Sequence, residues 1–284
     1  MRRLPLLLPA LWLAVFVAAP LLVVLALSVA RPDAGVPPFA LPFGWNGGPV
    51  WRPNWEPFSL LVADGYYLSA FLQSAWVAGA TAGLCLLLGF PMALGISRAA
   101  PRWRGPLLMA VLLPFWTGFL PRIGAWTGIL RDEGWVNGLL RGLGWADAPL
   151  PLLYSNTALF LGMVHAYLPF AVLPLYASLS RLDLTLEDAA ADLGATPAVV
   201  FRTVTLPLAA PGALAAFLLV FIPAAGEYVI PELLGPPEAL LVGRVLWQEF
   251  FQNRDWPVAA ALAVALLALL ILPIRLFQRL ESRR

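Results

Sequence analysis

The chain has 284 residues, of which 61% are hydrophobic and 12% are charged, and its formal net charge is +2. This composition provides too few charged side chains for the surface of a soluble globule of that size. The net charge is also too small to favour nucleic-acid binding. The sequence therefore indicates an integral membrane protein in contact with membrane lipid, with no large soluble domain and no nucleic-acid partner.

The residue types also exclude several kinds of active site. All 18 basic residues are arginine, so the lysine of a nucleotide-binding P-loop is absent and we do not expect this chain to hydrolyse ATP by itself. Cys85 and His165 are the single cysteine and the single histidine, which leaves no disulfide and no Cys-rich or multi-His metal site. Because H-E-x-x-H and G-x-S-x-G motifs are also missing, we expect no catalytic residue, metal site or cofactor in the chain itself.

Six apolar runs with few charges follow one another along the chain. A helix needs roughly 20 such residues to cross a bilayer. The runs predict an all-α, polytopic membrane fold with six transmembrane helices, in a single transmembrane domain that covers residues 1–284. The six predicted spans are 4–30, 69–97, 105–120, 150–178, 208–234 and 257–277. The first run is longer than the roughly 7–15 apolar residues of a signal peptide, which favours an uncleaved span.

The placement of the arginines predicts the orientation in the membrane. Cytoplasmic loops retain an excess of basic residues. Most arginines fall on the cytoplasmic side if the N-terminus lies inside, among them Arg2, Arg3, Arg98, Arg283 and Arg284. We therefore expect cytoplasmic N- and C-termini, which also places the loop at residues 181–207 in the cytoplasm.

The first half of the 181–207 loop has the pattern of a short helix with defined ends. Thr185, followed three residues later by Asp188, is typical of a capping-box-like start. The alanines at 189–191 continue the helix with little side-chain bulk. Gly194 is suited to a left-handed conformation that ends it.

The second half of the loop predicts another short helix. Thr196 is a suitable N-cap residue, and Pro197 fits the first helical position. Pro207 is expected to stop or kink this second helix. Two capped helices joined by a tight turn indicate a surface on which another protein docks, rather than a minimal connector.

The spacing of these residues resembles the signature of binding-protein-dependent ABC importer permeases. The signature has Glu-Ala-Ala, three residues, Gly, nine residues, commonly Ile, one residue and Leu-Pro, and here Asp188 replaces the glutamate and Val204 the isoleucine. In that family the loop is a coupling helix that docks on a cytoplasmic ATPase. The resemblance implies these ATPase-coupling residues: Glu187, Asp188, Ala189, Ala190, Gly194, Val204, Leu206 and Pro207.

Four further stretches resemble the first of two paired permeases in spermidine/putrescine-type importers: Pro114–Trp126, Gly134–Leu140, Leu168–Leu179 and Val220–Gly235. The resemblance implies a type I ABC importer permease in a bacterial inner membrane, with polyamines as cargo. It also implies three partners, namely a second permease subunit, a cytoplasmic ABC ATPase dimer that binds ATP and magnesium, and a periplasmic solute-binding protein. Where the family often has Arg-Thr-Tyr-Ala-Trp, this chain has Arg-Ile-Gly-Ala-Trp at residues 122–126, a departure in the region of the substrate path.

Glu227 is the principal candidate for a substrate contact. It lies in an apolar stretch, where an ionised carboxylate must face protein or water. Two interpretations stay open, namely contact with a cationic amine or pairing with an arginine such as Arg122. Gly226, flanked by Pro223 and Pro231, predicts a broken helix at this point.

Aromatic residues provide the other candidates for the substrate path. Trp116, Trp126, Tyr228 and Trp247 have π faces that can bind ammonium groups, although packing or an interfacial belt explains them equally well. Alternative cargoes are an aminophosphonate, an opine, thiamine or an iron complex. A secondary transporter is a further alternative, but the sequence lacks the repeated halves typical of many such proteins.

Overall fold

The structure is a computed structural model that describes residues 4–45 and 49–281. The terminal arginines used to predict orientation, Arg2, Arg3, Arg283 and Arg284, lie outside these residues. The helices are α1 (Leu4–Leu13), α2 (Ala19–Ser28), α3 (Glu56–Ala63), α4 (Gly65–Arg98), α5 (Pro101–Trp116), α6 (Phe119–Leu130), α7 (Trp135–Gly142), α8 (Asn156–Leu179), α9 (Thr185–Asp192), α10 (Pro197–Val200), α11 (Leu206–Ala225), α12 (Val229–Leu234), α13 (Val242–Trp247) and α14 (Trp256–Glu281).

Short π-helical turns and strands complete the described secondary structure. The π-turns are Ala14–Ala18, Phe201–Thr205 and Gln248–Gln252. Two antiparallel strand pairs lie between α2 and α3, with β1 (Arg31–Pro32) paired to β2 (Phe39–Ala40) and β3 (Phe43–Trp45) paired to β4 (Pro49–Trp51). Apart from these strands the regular structure is helical, as the sequence predicts.

Five helical segments are long and apolar enough to cross a membrane: Leu8–Ser28, Gly65–Arg98, Asn156–Leu179, Pro197–Ala225 and Trp256–Arg275. A sixth arises if Pro101–Trp116 and Phe119–Gly142, which meet at an angle of 85°, form one broken span. The polytopic helical fold is thus confirmed, and the predicted count of six is reached only with this bent pair included.

Helix α5 ends before the predicted third span, 105–120, does. Helix α5 stops at Trp116, and Gly118 adopts a non-helical conformation with φ 4° and ψ 154° before α6 begins. The hydroxyl of Thr117 donates to the Pro114 carbonyl oxygen at 2.8 Å, which satisfies one acceptor at the helix end. The apolar run is therefore continuous in the sequence, but the helix is interrupted between Trp116 and Phe119.

The fourth and fifth predicted spans also differ from the helices. Helix α8 begins at Asn156 rather than near residue 150, because the Ser155 hydroxyl caps it by accepting a hydrogen bond from Ala158 N at 3.1 Å. The fifth span, predicted at 208–234, is interrupted between α11 and α12 at residues 226–228. The broken helix predicted at Gly226 is confirmed.

The described residues group into two compact units. The first comprises the described part of Met1–Leu72 with Leu240–Leu272, and the second comprises Gln73–Ala239 with the described part of Pro273–Arg284. The single domain expected over residues 1–284 stays a prediction. The predicted coupling residues and the substrate-path candidates between Trp116 and Tyr228 belong to the second unit, whereas Trp247 belongs to the first.

The first unit has its own apolar core. Buried side chains of α3 and α4, including Leu61 and Tyr67, pack with residues of α13 and α14 such as Val245 and Leu262. The Tyr67 hydroxyl donates to the buried Glu249 carboxylate at 2.9 Å. This hydrogen bond compensates for the burial of both polar groups.

The second unit is built around α8. A Cβ added to Gly212 of α11 would lie 2.3 Å from Ser178 Cβ of α8, and a Cβ added to Gly162 of α8 would lie 2.4 Å from Leu234 of α12. Glycine at these positions lets the backbones approach closely, as small residues do in packed membrane helices. Helix α11, which continues from the 181–207 loop, is thereby held directly against α8.

Candidate functional site

The 181–207 loop folds as two helical segments, α9 and α10, separated by a tight turn. Asp183 rather than Thr185 caps the first of them. The Asp183 side chain accepts hydrogen bonds from Thr185 N at 3.0 Å and from the Thr185 hydroxyl at 2.9 Å. The capping box predicted between Thr185 and Asp188 is therefore wrong, because Thr185 is already inside the helix and its hydroxyl is used by the preceding aspartate.

The predicted end of α9 is confirmed. Gly194 has φ +85°, in the left-handed region. Its N–H donates to Ala191 O at 2.8 Å, and Ala195 N–H donates to Ala190 O at 3.1 Å. This pair of hydrogen bonds is a Schellman motif, which satisfies carbonyl groups that the helix end leaves open.

The second segment begins as predicted but does not stop at the predicted residue. Thr196 is extended and precedes Pro197 at the first helical position, although its side chain makes no capping hydrogen bond. The helix then runs without interruption to Ala225. The stop expected at Pro207 is wrong because the Phe201–Thr205 π-turn widens the helix directly before the proline, which has no N–H to contribute.

The loop presents a mixed surface of charged and apolar groups. Leu193, next to the tight turn, is 89% exposed, and Leu184, Leu186 and Val199 are also exposed. Exposed apolar groups of this size, grouped in one loop, are typical of a contact surface. Of the predicted coupling residues, Asp188, Ala189, Gly194, Leu206 and Pro207 are exposed, while Glu187, Ala190 and Val204 are partly buried.

Glu187 contacts the rest of the second unit through its carboxylate. Its Oε1 atom lies 2.5 Å from Arg98 Nη2, at the end of α4, and accepts a hydrogen bond from the Thr205 hydroxyl at 2.7 Å. The sequence identified Glu187 but neither of these partners. No local pattern could have found Arg98, which is 89 positions away in the chain.

Glu227, the principal substrate candidate, lies at the break between α11 and α12. Its Oε1 atom accepts hydrogen bonds from the backbone N–H of Tyr228 at 3.2 Å and of Val229 at 2.9 Å, so it also caps α12. Its Oε2 atom accepts a hydrogen bond from the Tyr167 hydroxyl. The alternative pairing of Glu227 with Arg122 is therefore wrong in this structure, and Tyr167 is a site residue that sequence reasoning missed.

Arg122 is buried instead among aromatic rings. It is 7% exposed, and its guanidinium carbon lies 5.5 Å from the centre of the Phe115 ring and 5.9 Å from that of Phe119. Its Nε and Nη1 atoms have no hydrogen-bond partner among the described residues. Contact with the ring faces offsets part of the free energy of burying this charge.

Two of the three tryptophan candidates, Trp116 and Trp126, occupy different surroundings. Trp116, the last residue of α5, is largely exposed. Trp126 of α6 meets His165 edge to face, with ring centres 5.5 Å apart, on the wall of a cavity of about 400 Å³. Trp116, Arg122 and Trp126 thus lie on α5 and α6, and Glu227 and Tyr228 lie at the α11–α12 break. A series of ring contacts links Arg122 to the Glu227 site, through Phe115 and Phe170 at 5.5 Å and Phe170 and Tyr167 at 6.2 Å.

Residues 3–284 match the family described as "Binding-protein-dependent transport system inner membrane component". The chain belongs to this family. Its place in the inner membrane and its role as a transport permease follow from that membership, and they agree with the apolar helices described above.

Two curated relatives and one solved structure are similar to this permease over most of its length. It is 37% identical over 268 residues to the spermidine/putrescine transport system permease protein PotB of Haemophilus influenzae, covering 94% of this chain and 90% of that protein. It is 34% identical over 203 residues to PotB of Escherichia coli, covering 72% and 74%. A chain of a bacterial alginate ABC transporter, solved in complex with an alginate pentasaccharide-bound periplasmic protein, has a TM-score of 0.69 at 18% identity and covers 98% of this chain and 93% of its own. That likeness shows a shared fold.

Proposed function

We propose that this permease forms half of the translocation pathway of an ATP-driven polyamine importer. The observation that carries the substrate assignment is its 37% identity, over 94% of the chain, to a protein named for spermidine and putrescine transport. The partners are a second permease subunit, a cytoplasmic ATPase dimer that binds ATP and magnesium, and a periplasmic solute-binding protein. Both termini of this chain lie in the cytoplasm.

The 181–207 loop is the proposed docking element for the ATPase. Support comes from the exposed face of α9, where Asp188 and Leu193 are accessible, and from the continuous helix that joins the loop to α11. In this mechanism ATP binding brings the ATPase subunits together, and the loop moves with them. The loop drives transport only if its contacts with the ATPase differ between the two conformational states.

The proposed pathway opens outward to receive the polyamine and then inward to release it. Glu227 is the proposed contact for an ammonium group, and Tyr167 orients its carboxylate through a hydrogen bond. Tyr228, Trp116 and Trp126 are proposed aromatic contacts along the path. Arg122 adds a fixed positive charge, which repels a cation from the space around the Arg122 side chain.

The substrate assignment is tested by uptake in cells that lack this chain. Deletion should abolish uptake of labelled spermidine and putrescine, and expression of the chain should restore it. Thiamine, an aminophosphonate, an opine and a ferric complex serve as comparison solutes under the same conditions. Unchanged polyamine uptake together with loss of one of the other solutes would overturn the polyamine assignment and leave the permease assignment in place.

The variant Glu227→Gln tests the proposed substrate contact. Glutamine retains an acceptor oxygen for the backbone amides of α12 but removes the charge that an ammonium group would recognise. A charge-assisted hydrogen bond contributes about 1.5 kcal/mol or more, so we expect the KM for spermidine uptake to rise about tenfold at an unchanged protein level.

Glu232→Gln provides the matched control, because Glu232 is an exposed acid on α12, the helix that Glu227 caps. Its KM should change by less than about twofold, as expected for a charge that does not touch the substrate. If both variants keep the original KM, Glu227 acts as a helix cap and not as a substrate contact.

A further inference from the structure

Helix α9 of the proposed docking loop is attached to the membrane helices through one carboxylate, whereas Phe201, further along the loop, packs edge to face against Phe90 of α4 with ring centres 5.6 Å apart. Glu187 of α9 forms an ion pair with Arg98 at the end of α4. The same Glu187 oxygen accepts the hydrogen bond from Thr205. One side chain of α9 therefore joins the end of α4 to the start of the helix that continues as α11.

Apolar packing contributes little to this attachment. No residue of α9 is buried. A cavity of about 440 Å³ lies beside α9, and its wall includes Glu187, Asp188 and Ala191 of α9 together with Arg98, Val200 and Thr205. Since packed side chains transmit displacement only where they touch, the hydrogen bonds of Glu187 provide a direct connection across this space.

The position of Thr205 makes the connection relevant to movement of the helix. Thr205 is buried and is the last residue of the Phe201–Thr205 π-turn. Single π-turns within α-helices occur frequently at functional sites. A force applied to Glu187 thus reaches the point at which the loop helix becomes α11, and it reaches α4 at the same time.

We infer that Glu187 is a positioning residue that transmits the displacement of α9 to α4 and α11, whereas its neighbour Asp188 faces the partner. This inference rests on the proposed docking of an ATPase at the 181–207 loop. The two neighbouring acids then have different roles: the Glu187 carboxylate contacts Arg98 and Thr205, whereas Asp188 borders the same cavity but is more exposed.

Three variants of the complete transporter complex test this inference. Glu187→Gln removes the charge, Thr205→Val removes the hydroxyl at similar volume, and Glu187→Arg combined with Arg98→Glu exchanges the two charges. The complex is purified through a tag on this chain and reconstituted with its binding protein. Three quantities are measured, namely retention of the ATPase, spermidine transported per ATP hydrolysed, and hydrogen exchange of the α9 amides.

In Glu187→Gln we expect the ATPase to be retained, exchange of the α9 amides to rise about threefold to tenfold, and spermidine transported per ATP to fall by a similar factor. The amides of α8 serve as the internal control and should be unchanged. Thr205→Val should produce a smaller change of the same kind. The double variant Glu187→Arg with Arg98→Glu should restore at least about half of the original ratio of transport to ATP hydrolysis, since the two side chains again attract each other.

Two results would overturn the inference. One is unchanged exchange in α9 of the Glu187→Gln variant, which shows that the carboxylate does not position the helix. The other is loss of the ATPase in that variant without recovery on charge exchange, which identifies Glu187 as a partner contact. If the original complex neither retains an ATPase nor transports spermidine, the proposed function fails, and the exchange measurement still decides whether Glu187 holds α9.

Discussion

Replacement of Gly194 by valine is expected to reduce transport to less than about a tenth of the original rate while the protein still inserts in the membrane. Gly194 has φ +85°, and a non-glycine residue there costs about 1–2 kcal/mol, with β-branched side chains among the least tolerated. Helix α9 has eight residues and none of them is buried. A penalty of that size is therefore large relative to the local stability of a helix this short.

The measurement for Gly194→Val is retention of the ATPase during purification, followed by uptake of labelled spermidine. Gly144→Val is the matched control, since Gly144 also has a left-handed φ, +70°, and neither glycine has an atom within 4 Å of an added Cβ. The backbone penalty is thus similar, but Gly144 lies just after α7 and outside the 181–207 loop. The docking proposal fails if Gly194→Val retains the ATPase and full uptake, or if the two variants lose uptake equally.

The contrast between the two ends of α9 shows which features a sequence can predict. The end at Gly194 was predicted because a left-handed helix end depends on one residue with no Cβ. The start was not, because Thr185 and Asp183 are both acceptable capping residues and the pattern T-x-x-D favoured the wrong one. Asp183 prevails since its side chain reaches the Thr185 N–H directly, at 3.0 Å.

The partners of the acidic site residues could not be predicted, for a different reason. Glu187 was identified through the resemblance to the permease signature, and Glu227 was identified because a carboxylate in an apolar stretch must face protein or water. Their partners Arg98 and Tyr167 lie 89 and 60 positions away in the chain. Such pairings are determined by how the helices pack, and neither periodicity nor spacing in one sequence contains that information.

The breaks in the membrane helices were predicted in part. Gly226 between two prolines indicated the interruption of the fifth span, and the structure has it there. The break at Gly118 was missed because it lies inside the predicted span 105–120, with Pro114 within that span and Pro121 directly after it, and prolines are tolerated in membrane helices that continue. Pro207 led to the opposite error, since the π-turn before it keeps the helix continuous.

Replacement of Gly212 by alanine is expected to destabilise the permease, although alanine is the better helix former by about 1 kcal/mol. The added Cβ would lie 2.3 Å from Ser178 Cβ and 3.2 Å from the Pro174 carbonyl oxygen. Both atoms are fixed close to the backbone of α8, so α8 and α11 must separate to accept a methyl group. Forcing extra volume into a packed contact costs about 1–3 kcal/mol, which exceeds the gain in helix propensity.

Valine at position 212 should have a larger effect, with most of the protein lost from the membrane at growth temperature. The measurement is the fraction of detergent-solubilised protein that stays monodisperse after heating. Gly83→Ala and Gly83→Val provide the control, since Gly83 also lies within a helix but has no atom within 4 Å of an added Cβ. With alanine at position 83, the temperature at which half of the protein is no longer monodisperse should be unchanged or slightly higher.

Whether Gly212→Ala lowers or raises the stability of the permease decides whether α8 and α11 move together. Gly212 lies five positions after Pro207, on the helix that continues from the 181–207 loop. If alanine is destabilising at 212 and not at 83, the α8–α11 contact is a close backbone contact, and movement of the loop helix must carry α8 with it. If alanine stabilises the protein at both positions, α11 has room to move independently of α8, and displacement of the loop would then reach α4 through Glu187 without moving α8.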